Sequence, residues 1–226
     1  MYEGLTTPAE AYRYLHPPPG LESAKRPSSA RMTAPLRQGQ SPPLDPQTTE
    51  MPPQAQLLAA QDSFVLPTGA TSVVATIDPV DPPPVPPIGG AIQGNVYRIT
   101  VTAAGAAVAV RPGRRITVAL RGPAGIPSPT VELFSAGAWT RLTTEPLGTL
   151  SGDTYTADVG STGDFALVGS AAPPSGGGDP FVIVLAVAAV VLAGGTLISL
   201  RRRGRTPPRP RPGAGRSRRP PIPRRR

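Results

Sequence analysis

The apolar run from Phe181 to Leu200 constrains this chain of 226 residues more than any other feature. The run contains no charged residue, and arginines follow it at once. About 20 helical residues at ~1.5 Å each span the ~30 Å hydrocarbon core of a bilayer. The pattern therefore predicts one transmembrane helix over residues 180–200. The predicted membrane anchor consists of Phe181, Leu185, Leu192, Leu197, Leu200, Arg201, Arg202 and Arg203.

The distribution of charge predicts the orientation of this helix. Residues 201–226 contain 12 arginines and no acid, so the net charge of +9 divides into +12 for this tail and −3 for the rest. Basic residues beside a transmembrane helix favour the cytoplasmic side. We therefore expect a cytoplasmic tail, which contacts anionic lipid headgroups, and residues 1–179 outside the cell membrane. Arginines without interleaved aromatics do not favour nucleic acid as a partner.

The first residues do not indicate how residues 1–179 are exported. Met1–Gly20 lacks the basic, apolar and small-residue regions of a signal peptide. We expect the true start to lie upstream, with a signal peptide. Two alternatives are a signal-anchor action of the transmembrane helix and an inverted orientation with the front of the chain in the cytoplasm. The inverted form has to move 12 arginines across the bilayer.

Small residues within the predicted helix allow a dimer. Ala189 and Ala193 are four residues apart, as are Gly195 and Ser199. This spacing permits close approach of two transmembrane helices. Alanine-rich helices often contain such pairs by chance, so a helix-mediated dimer stays one alternative.

The composition of the remaining residues distinguishes a proline-rich front segment from a folded domain. The chain has no cysteine, which excludes disulfides and thiolate metal sites, so a folded domain needs a hydrophobic core. Residues 1–53 are rich in proline and show no sustained periodicity, which predicts a largely disordered segment. Within it, Ala9–Leu15 concentrates tyrosine and leucine. We interpret this stretch as a tether that packs on the folded domain, as a stretch without a role, or as a linear motif for a partner.

Residues 54–169 show the pattern of an antiparallel β-sandwich. We expect an immunoglobulin-like arrangement, although the composition does not distinguish it from other Greek-key or jelly-roll forms. Short β-type runs alternate with Pro and Gly turns at intervals near ten residues. In Val96–Thr102, for example, Tyr97, Ile99 and Val101 share one face. The predicted strands are 56–58, 64–66, 71–77, 96–102, 107–110, 115–120, 131–134, 139–142, 154–159 and 164–168. Residues 170–179 predict a Gly/Pro/Ser stalk.

Four aromatic residues are the candidate core anchors. Only 4% of the chain is aromatic, so each large ring supplies much of the apolar area that a cysteine-free domain has to bury. We expect these rings to pack between the two sheets. They are Phe134, Trp139, Tyr155 and Phe165.

Few residues offer catalytic chemistry. The single histidine, His16, lies in the front segment, which disfavours a catalytic triad or a two-histidine metal site in the β domain. Asp153, Asp158 and Asp164 stand beside glycines, where aspartate ordinarily forms turns, although carboxylate catalysis or a calcium site stays open. We predict no enzyme activity, no catalytic residue, no metal and no cofactor.

The sequence thus predicts a non-enzymatic, single-pass membrane protein that displays a β-sandwich for binding, adhesion or envelope assembly. Its partner would be an extracytoplasmic protein or glycan, contacted through loops such as Asp81–Gly90 or Arg121–Pro129. The alternative is a regulatory or scaffold subunit that acts through the Arg/Pro-rich tail.

Overall fold

The described part of the protein is mainly β. The computed structural model describes residues 9–20, 25–125, 127–147 and 153–170. In these residues 11 strands form two antiparallel sheets, and no helix occurs that could cross a membrane. The predicted transmembrane helix with its anchor residues, nearly all of the stalk, and the basic tail lie outside the described residues.

The larger sheet contains seven strands. Its order is β1 (Ala30–Pro35), β3 (Ser72–Val80), β4 (Ala91–Ala103), β11 (Gly163–Gly169), β7 (Thr130–Ser135) and β8 (Ala138–Arg141), with β5 (Ala106–Ala107) paired to β4. The smaller sheet has the order β2 (Ala55–Ala59), β6 (Ile116–Arg121), β10 (Thr154–Val159) and β9 (Thr144–Pro146).

The hydrophobic core combines alternate residues of both sheets. Tyr97, Ile99 and Val101 of β4 are buried with Ile116 and Val118 of β6, as the alternation predicts. Burying one such side chain contributes about 1.5–3 kcal/mol, so this shared core is the main source of stability.

Most predicted strands are present, with different ends. Strand β4 begins five residues before its predicted start, and β3 continues through Pro79 to Val80. The run 64–66 is not a strand, because only Phe64 pairs, in an isolated bridge with Val110. Thr144–Pro146 forms β9, which the sequence does not predict because it is short and polar.

The front segment differs from the prediction of disorder and of a domain boundary at residue 54. Ala30–Pro35 forms β1 and pairs with β3 along its whole length. Further on, Leu44 and Glu50 are buried. The sequence of this segment does not indicate these contacts, because it is polar and rich in proline. The residues that it contacts lie elsewhere in the chain.

The outer strands of the two sheets are short or covered. β1 ends at Pro35 and β9 ends at Pro146, and β8 has four residues. Along β2, the preceding segment adds bridges of Leu44 to Ala59 and of Gln47 to Gln56. Proline, shortness and covering are the usual ways of protecting a sheet edge.

The four candidate core anchors lie in different places. Phe165 is fully buried in the shared core, and Tyr155 packs against that core while partly exposed. Trp139 is buried in a second cluster, and Phe134 packs beside it with a distance of 5.3 Å between ring centroids. This second cluster lies on the opposite face of the larger sheet, because its members alternate with core residues along β7 and β11.

Candidate functional site

Two irregular segments lie on the sheets and are held by buried polar side chains. We call Asp81–Gly90 the proline loop and Ala9–Leu15 the arm. The proline loop connects β3 to β4 and covers the second cluster, whose buried members are Val96, Trp139, Ala166 and Val168. The arm lies at another place, near the starts of β2 and β4 and the end of β6.

Glu132 holds the end of the proline loop. Its side chain is buried on β7, and its carboxylate accepts hydrogen bonds from the backbone N–H groups of Ile88 (2.9 Å) and Gly89 (2.7 Å). The guanidinium of Arg141 lies 3.7 Å from the same carboxylate. A buried carboxylate needs such partners, and bonds to a charged acceptor are among the stronger ones.

Glycine at position 89 favours the close approach of the loop to Glu132. A Cβ atom there would lie 2.8 Å from Oε1 of Glu132 and 2.8 Å from Nη2 of Arg141. A side chain there would therefore make the ends of Glu132 and Arg141 shift or move the loop away from the carboxylate. Gly89 thus permits the close approach of the loop to the sheet.

Trp139 holds the middle of the proline loop. Its indole Nε1 donates a hydrogen bond of 2.7 Å to the carbonyl oxygen of Val85. An indole N–H that is buried ordinarily finds such a partner. The ring therefore packs on the sheet and orients the loop above it.

The proline loop consequently presents apolar side chains to solvent in a fixed arrangement. Ile88 is 63% exposed and Val85 is 41% exposed. Both residues have their backbone bonded to the sheet, through Glu132 and Trp139 respectively. The exposed apolar surface is held in place by polar bonds beneath it.

The second predicted contact loop is less exposed than expected. Arg121 is the last residue of β6 and is buried, and the backbone N–H of Gly122 bonds to the carbonyl oxygen of Asp153. Within the described residues of Arg121–Pro129, exposure begins beyond these two positions.

The arm is bound through its backbone. Asn95 accepts a bond from the N–H of Leu15 (2.8 Å) and donates one to the carbonyl oxygen of Arg13 (2.8 Å). Gln54 donates to that same carbonyl at 3.0 Å, and Arg121 donates to the carbonyl oxygen of Glu10 at 2.9 Å. These three side chains are buried and lie far from the arm in sequence.

Backbone and ionic contacts fix the first part of the arm. The N–H of Glu10 donates to the carbonyl oxygen of Met51 at 2.6 Å. Arg13 lies 2.8 Å from the carboxylate of Glu10 and 3.6 Å from that of Glu50. Glu50 is fully buried and also accepts the N–H of Ser28 at 2.6 Å.

Tyr12 is the one arm side chain whose hydroxyl the domain binds. The backbone N–H of Asn95 donates to this hydroxyl at 2.9 Å, and the guanidinium of Arg121 lies 5.9 Å from the ring centroid. At Gly94, which has φ +96°, an added Cβ would overlap the hydroxyl of Tyr12. Glycine is thus required both by the backbone conformation and by the tyrosine.

We call the residues that receive the arm the arm cleft: Glu50, Gln54, Gly94, Asn95, Tyr97 and Arg121. Burial raises the pKa of Tyr12 and the pKa of Tyr97 well above the ordinary tyrosine value. Burial by itself also raises the pKa of Glu50, but hydrogen bonds from Thr48 and Ser28 outweigh it and hold that pKa below its ordinary value. Tyr12 of the arm and Tyr97 of the arm cleft are therefore neutral and lie near the ionised carboxylate of Glu50.

The candidate catalytic residues do not assemble. His16 bonds to Asp81 at 2.6 Å, and both side chains are largely exposed. Asp158 accepts from the hydroxyl of Thr117, whereas Asp164 forms a bidentate pair with Arg98 on the other sheet. No group of three or more metal-ligating side chains occurs among the described residues.

A polar depression of about 420 Å³ lies beside β9 and β10, and its charges are balanced. Arg115 and Arg141 line it together with Glu145 and Asp158. Arg115 donates to the carbonyl oxygen of Asp158, and Arg141 faces Glu132. This balance does not favour a charged ligand.

Sequence patterns did not identify the residues that hold the two segments. Glu132 and Asn95 stand in or beside apolar runs, and an isolated polar residue at such a position is the one available signal. Their partners are 40 to 80 residues away, so spacing along the chain gives no indication of them.

Comparison of the chain with protein-family models, with curated proteins and with solved structures found no match.

Proposed function

We propose that this protein is a non-enzymatic, single-pass membrane protein that displays a β-sandwich outside the cell membrane for binding, adhesion or envelope assembly. The observation that carries the binding role is the fixed presentation of Val85 and Ile88 by the proline loop. A surface that is ordered before binding loses less conformational entropy when a partner binds. The partner would be an extracytoplasmic protein or glycan.

The shared core of the two sheets supports the sandwich assignment, since residues from both sheets form one buried cluster. The immunoglobulin-like arrangement stays a prediction. The membrane anchor and its orientation rest on the apolar run of residues 181–200 and on the arginines that follow.

Reporter fusions test the topology. A reporter active only outside the membrane is fused after Gly178, and one active only in the cytoplasm is fused after Arg226. Activity of both supports the orientation, whereas silence of both contradicts it.

A double substitution tests the binding surface. We expect V85S/I88S to reduce retention of the protein on an isolated cell-envelope fraction, and protease or glycosidase treatment of that fraction identifies a protein or a glycan partner. The matched control is L58S/V65S, since both replaced residues are also exposed apolar side chains. Equal retention of the two double variants would contradict this contact surface. Deletion of residues 205–226 separates the alternative, because only a tail-dependent function would then be lost.

A further inference from the structure

The two ends of the larger sheet differ in what they carry. At one end, Ala91 begins β4 and pairs with Gly169, the last residue of β11. At the other end, Ala103 closes β4 and pairs with Val73 near the start of β3. The 13 residues of β4 span about 40 Å at ~3.3 Å each, so the two ends are far apart. The proline loop stops at Gly90, directly before β4, and so lies towards the first end.

Two tight turns at the second end present arginines to solvent. The first turn follows β1 and runs from Arg37 to Gln40, which exchange two backbone hydrogen bonds of 3.0 Å. The second turn precedes β6 and runs from Arg111 to Arg114, whose N–H donates to the carbonyl oxygen of Arg111 at 2.9 Å. All residues of both turns are exposed. The backbone of each turn is thus closed, and its side chains point away from the core.

Hydrogen bonds join the two turns into one surface. The side chain of Gln61 donates to that of Gln40 at 3.0 Å, and the N–H of Asp62 donates to the carbonyl oxygen of Ser41 at 3.0 Å. The carboxylate of Asp62 in turn accepts from the guanidinium of Arg111 at 2.7 Å. We call this surface the basic end, and its members are Arg37, Gln38, Gln40, Arg111 and Arg114.

The positive charge of the basic end is only partly balanced. Arg111 is paired with Asp62, but Arg37 and Arg114 form no ion pair within the described residues. Arg115, the next residue, belongs to the balanced depression beside β9 and β10. The net charge of residues 1–200 is −3, so this positive surface is a local concentration. Like charges that lie close together repel, and a bound anion relieves that repulsion.

The side chains beside the arginines indicate the kind of anion. Gln38 and Gln40 are exposed amides, which both donate and accept hydrogen bonds, as the hydroxyl groups of sugars do. The two turns contain no aromatic side chain on which a nucleic-acid base stacks. They also lack the large apolar side chains that anchor protein interfaces. Arginine together with amide therefore fits a chain of sugars that carries anionic groups.

We propose that the basic end binds an acidic polysaccharide. Arg37, Arg111 and Arg114 pair with its carboxylate, sulfate or phosphate groups through charge-assisted hydrogen bonds, and the two glutamines bond to its hydroxyls. The proposal narrows the partner named under the proposed function to a class of glycan, and it rests on that function only for the location of the glycan outside the cell.

Binding to immobilised dextran sulfate tests the role of the arginines, with the full chain in detergent. We expect R37Q/R111Q/R114Q to bind several-fold more weakly than the matched control K25Q/R26Q/R31Q, which removes three exposed positive charges outside the basic end. The comparison is repeated in the chain without residues 205–226, because the arginines of the tail also attract polyanions. Equal binding of the variant and the control in this shortened chain would overturn the proposal.

A second variant distinguishes a polysaccharide from an acidic polypeptide. Q38G/Q40A removes both amides and keeps the arginines, and glycine suits the φ of 52° at position 38. We expect weaker binding to dextran sulfate and unchanged binding to polyglutamate. Equal losses for the two polymers would show that the amides do not recognise sugar, and would overturn the proposal. Binding of the shortened wild-type chain to neither polymer would overturn it as well.

Two further measurements keep the result decisive. If chemical denaturation shows that the triple variant does not fold, R37Q/R114Q replaces it and is compared with K25Q/R31Q, because neither replaced arginine of the basic end forms an ion pair within the described residues. The loop variant V85S/I88S should bind dextran sulfate as the wild type does, so a failure of the proposed contact surface is seen separately. Loss of dextran sulfate binding in V85S/I88S would overturn the assignment to the basic end.

Discussion

The proline loop and the arm are both irregular, proline-adjacent segments, yet the molecule holds them differently. The loop is joined to strands at both ends and is bonded to a carboxylate and an indole on the larger sheet. In the arm, by contrast, amide and guanidinium side chains bind mainly the backbone. The loop therefore displays its own side chains, whereas the arm is held mainly through its backbone.

The largest expected loss of stability comes from a substitution beneath the proline loop. E132A removes the acceptor of two backbone N–H groups and leaves Arg141 without its buried partner. Bonds to charged acceptors are worth about 1.5–3 kcal/mol each, so we expect the free energy of unfolding to fall by about 3 kcal/mol. Chemical denaturation measures this fall. The single tryptophan, Trp139, should also shift its emission to longer wavelength as the loop leaves it.

The control for this variant is E145A, which replaces an exposed glutamate on β9. A surface substitution of this kind changes stability by less than about 0.5 kcal/mol. If E132A behaved like E145A, the carboxylate would not be what holds the loop.

On the arm side, the largest effect should come from G94A. The added Cβ overlaps the Tyr12 hydroxyl, and alanine is strained at φ +96°. We expect a loss of about 2 kcal/mol and much faster proteolysis within residues 9–20. The matched control is G113A, because Gly113 also has positive φ but its Cβ would meet no atom within 4 Å. Equal proteolysis of the arm in both variants would show that Tyr12 does not depend on position 94.

A smaller effect is expected for Y12F, together with a dependence on pH. The variant loses the bond from the N–H of Asn95, which costs about 1 kcal/mol. In the wild type, burial raises the pKa of Tyr12, so the unfolded chain releases this proton first as pH rises. The contribution is therefore complete below pH ~10 and is lost above it, at up to ~1.4 kcal/mol per pH unit.

Unfolding curves from pH 8 to 11 measure this dependence. Y12F should lose stability less steeply above pH ~10 than the wild type does. Y155F is the comparison, because Tyr155 is partly exposed and its pKa is also raised by burial. An unchanged slope in Y12F would mean that Tyr12 ionises equally in the folded and unfolded chains.

The smallest expected effect on stability is at the contact between His16, which follows the arm, and the proline loop. His16, just after the arm, bonds to Asp81 at the start of the proline loop, and both side chains are largely exposed. Exposed pairs contribute little, so H16A should leave the midpoint of thermal unfolding unchanged. A clear shift of that midpoint would show that the arm and the loop are coupled.

Strand positions could be predicted from the sequence because alternation is a local signal. The run from Val96 to Thr102 shows its buried face directly, and β6 and β10 follow the same pattern. Strand β1 could not be predicted in this way, since its buried position, Ala34, is small and its neighbours are polar or proline.

The faces of β7 show a second limit. Alternation separates Val131 and Leu133 from Glu132 and Phe134, but it does not tell which face another segment covers. Here both faces are covered, one by the smaller sheet and the other by the proline loop. The candidate site depends on the proline loop, which covers the outer face of the larger sheet, and on hydrogen bonds between residues that are distant in sequence. Local sequence patterns indicate neither the cover nor these bonds.

The protected sheet edges have a consequence for how copies of this protein meet. Prolines at the ends of β1 and β9 offer no N–H to a new strand, and the segment that precedes β2 already occupies part of its edge. This protection disfavours a continuous ladder of strands between copies, which is the arrangement found in fibres.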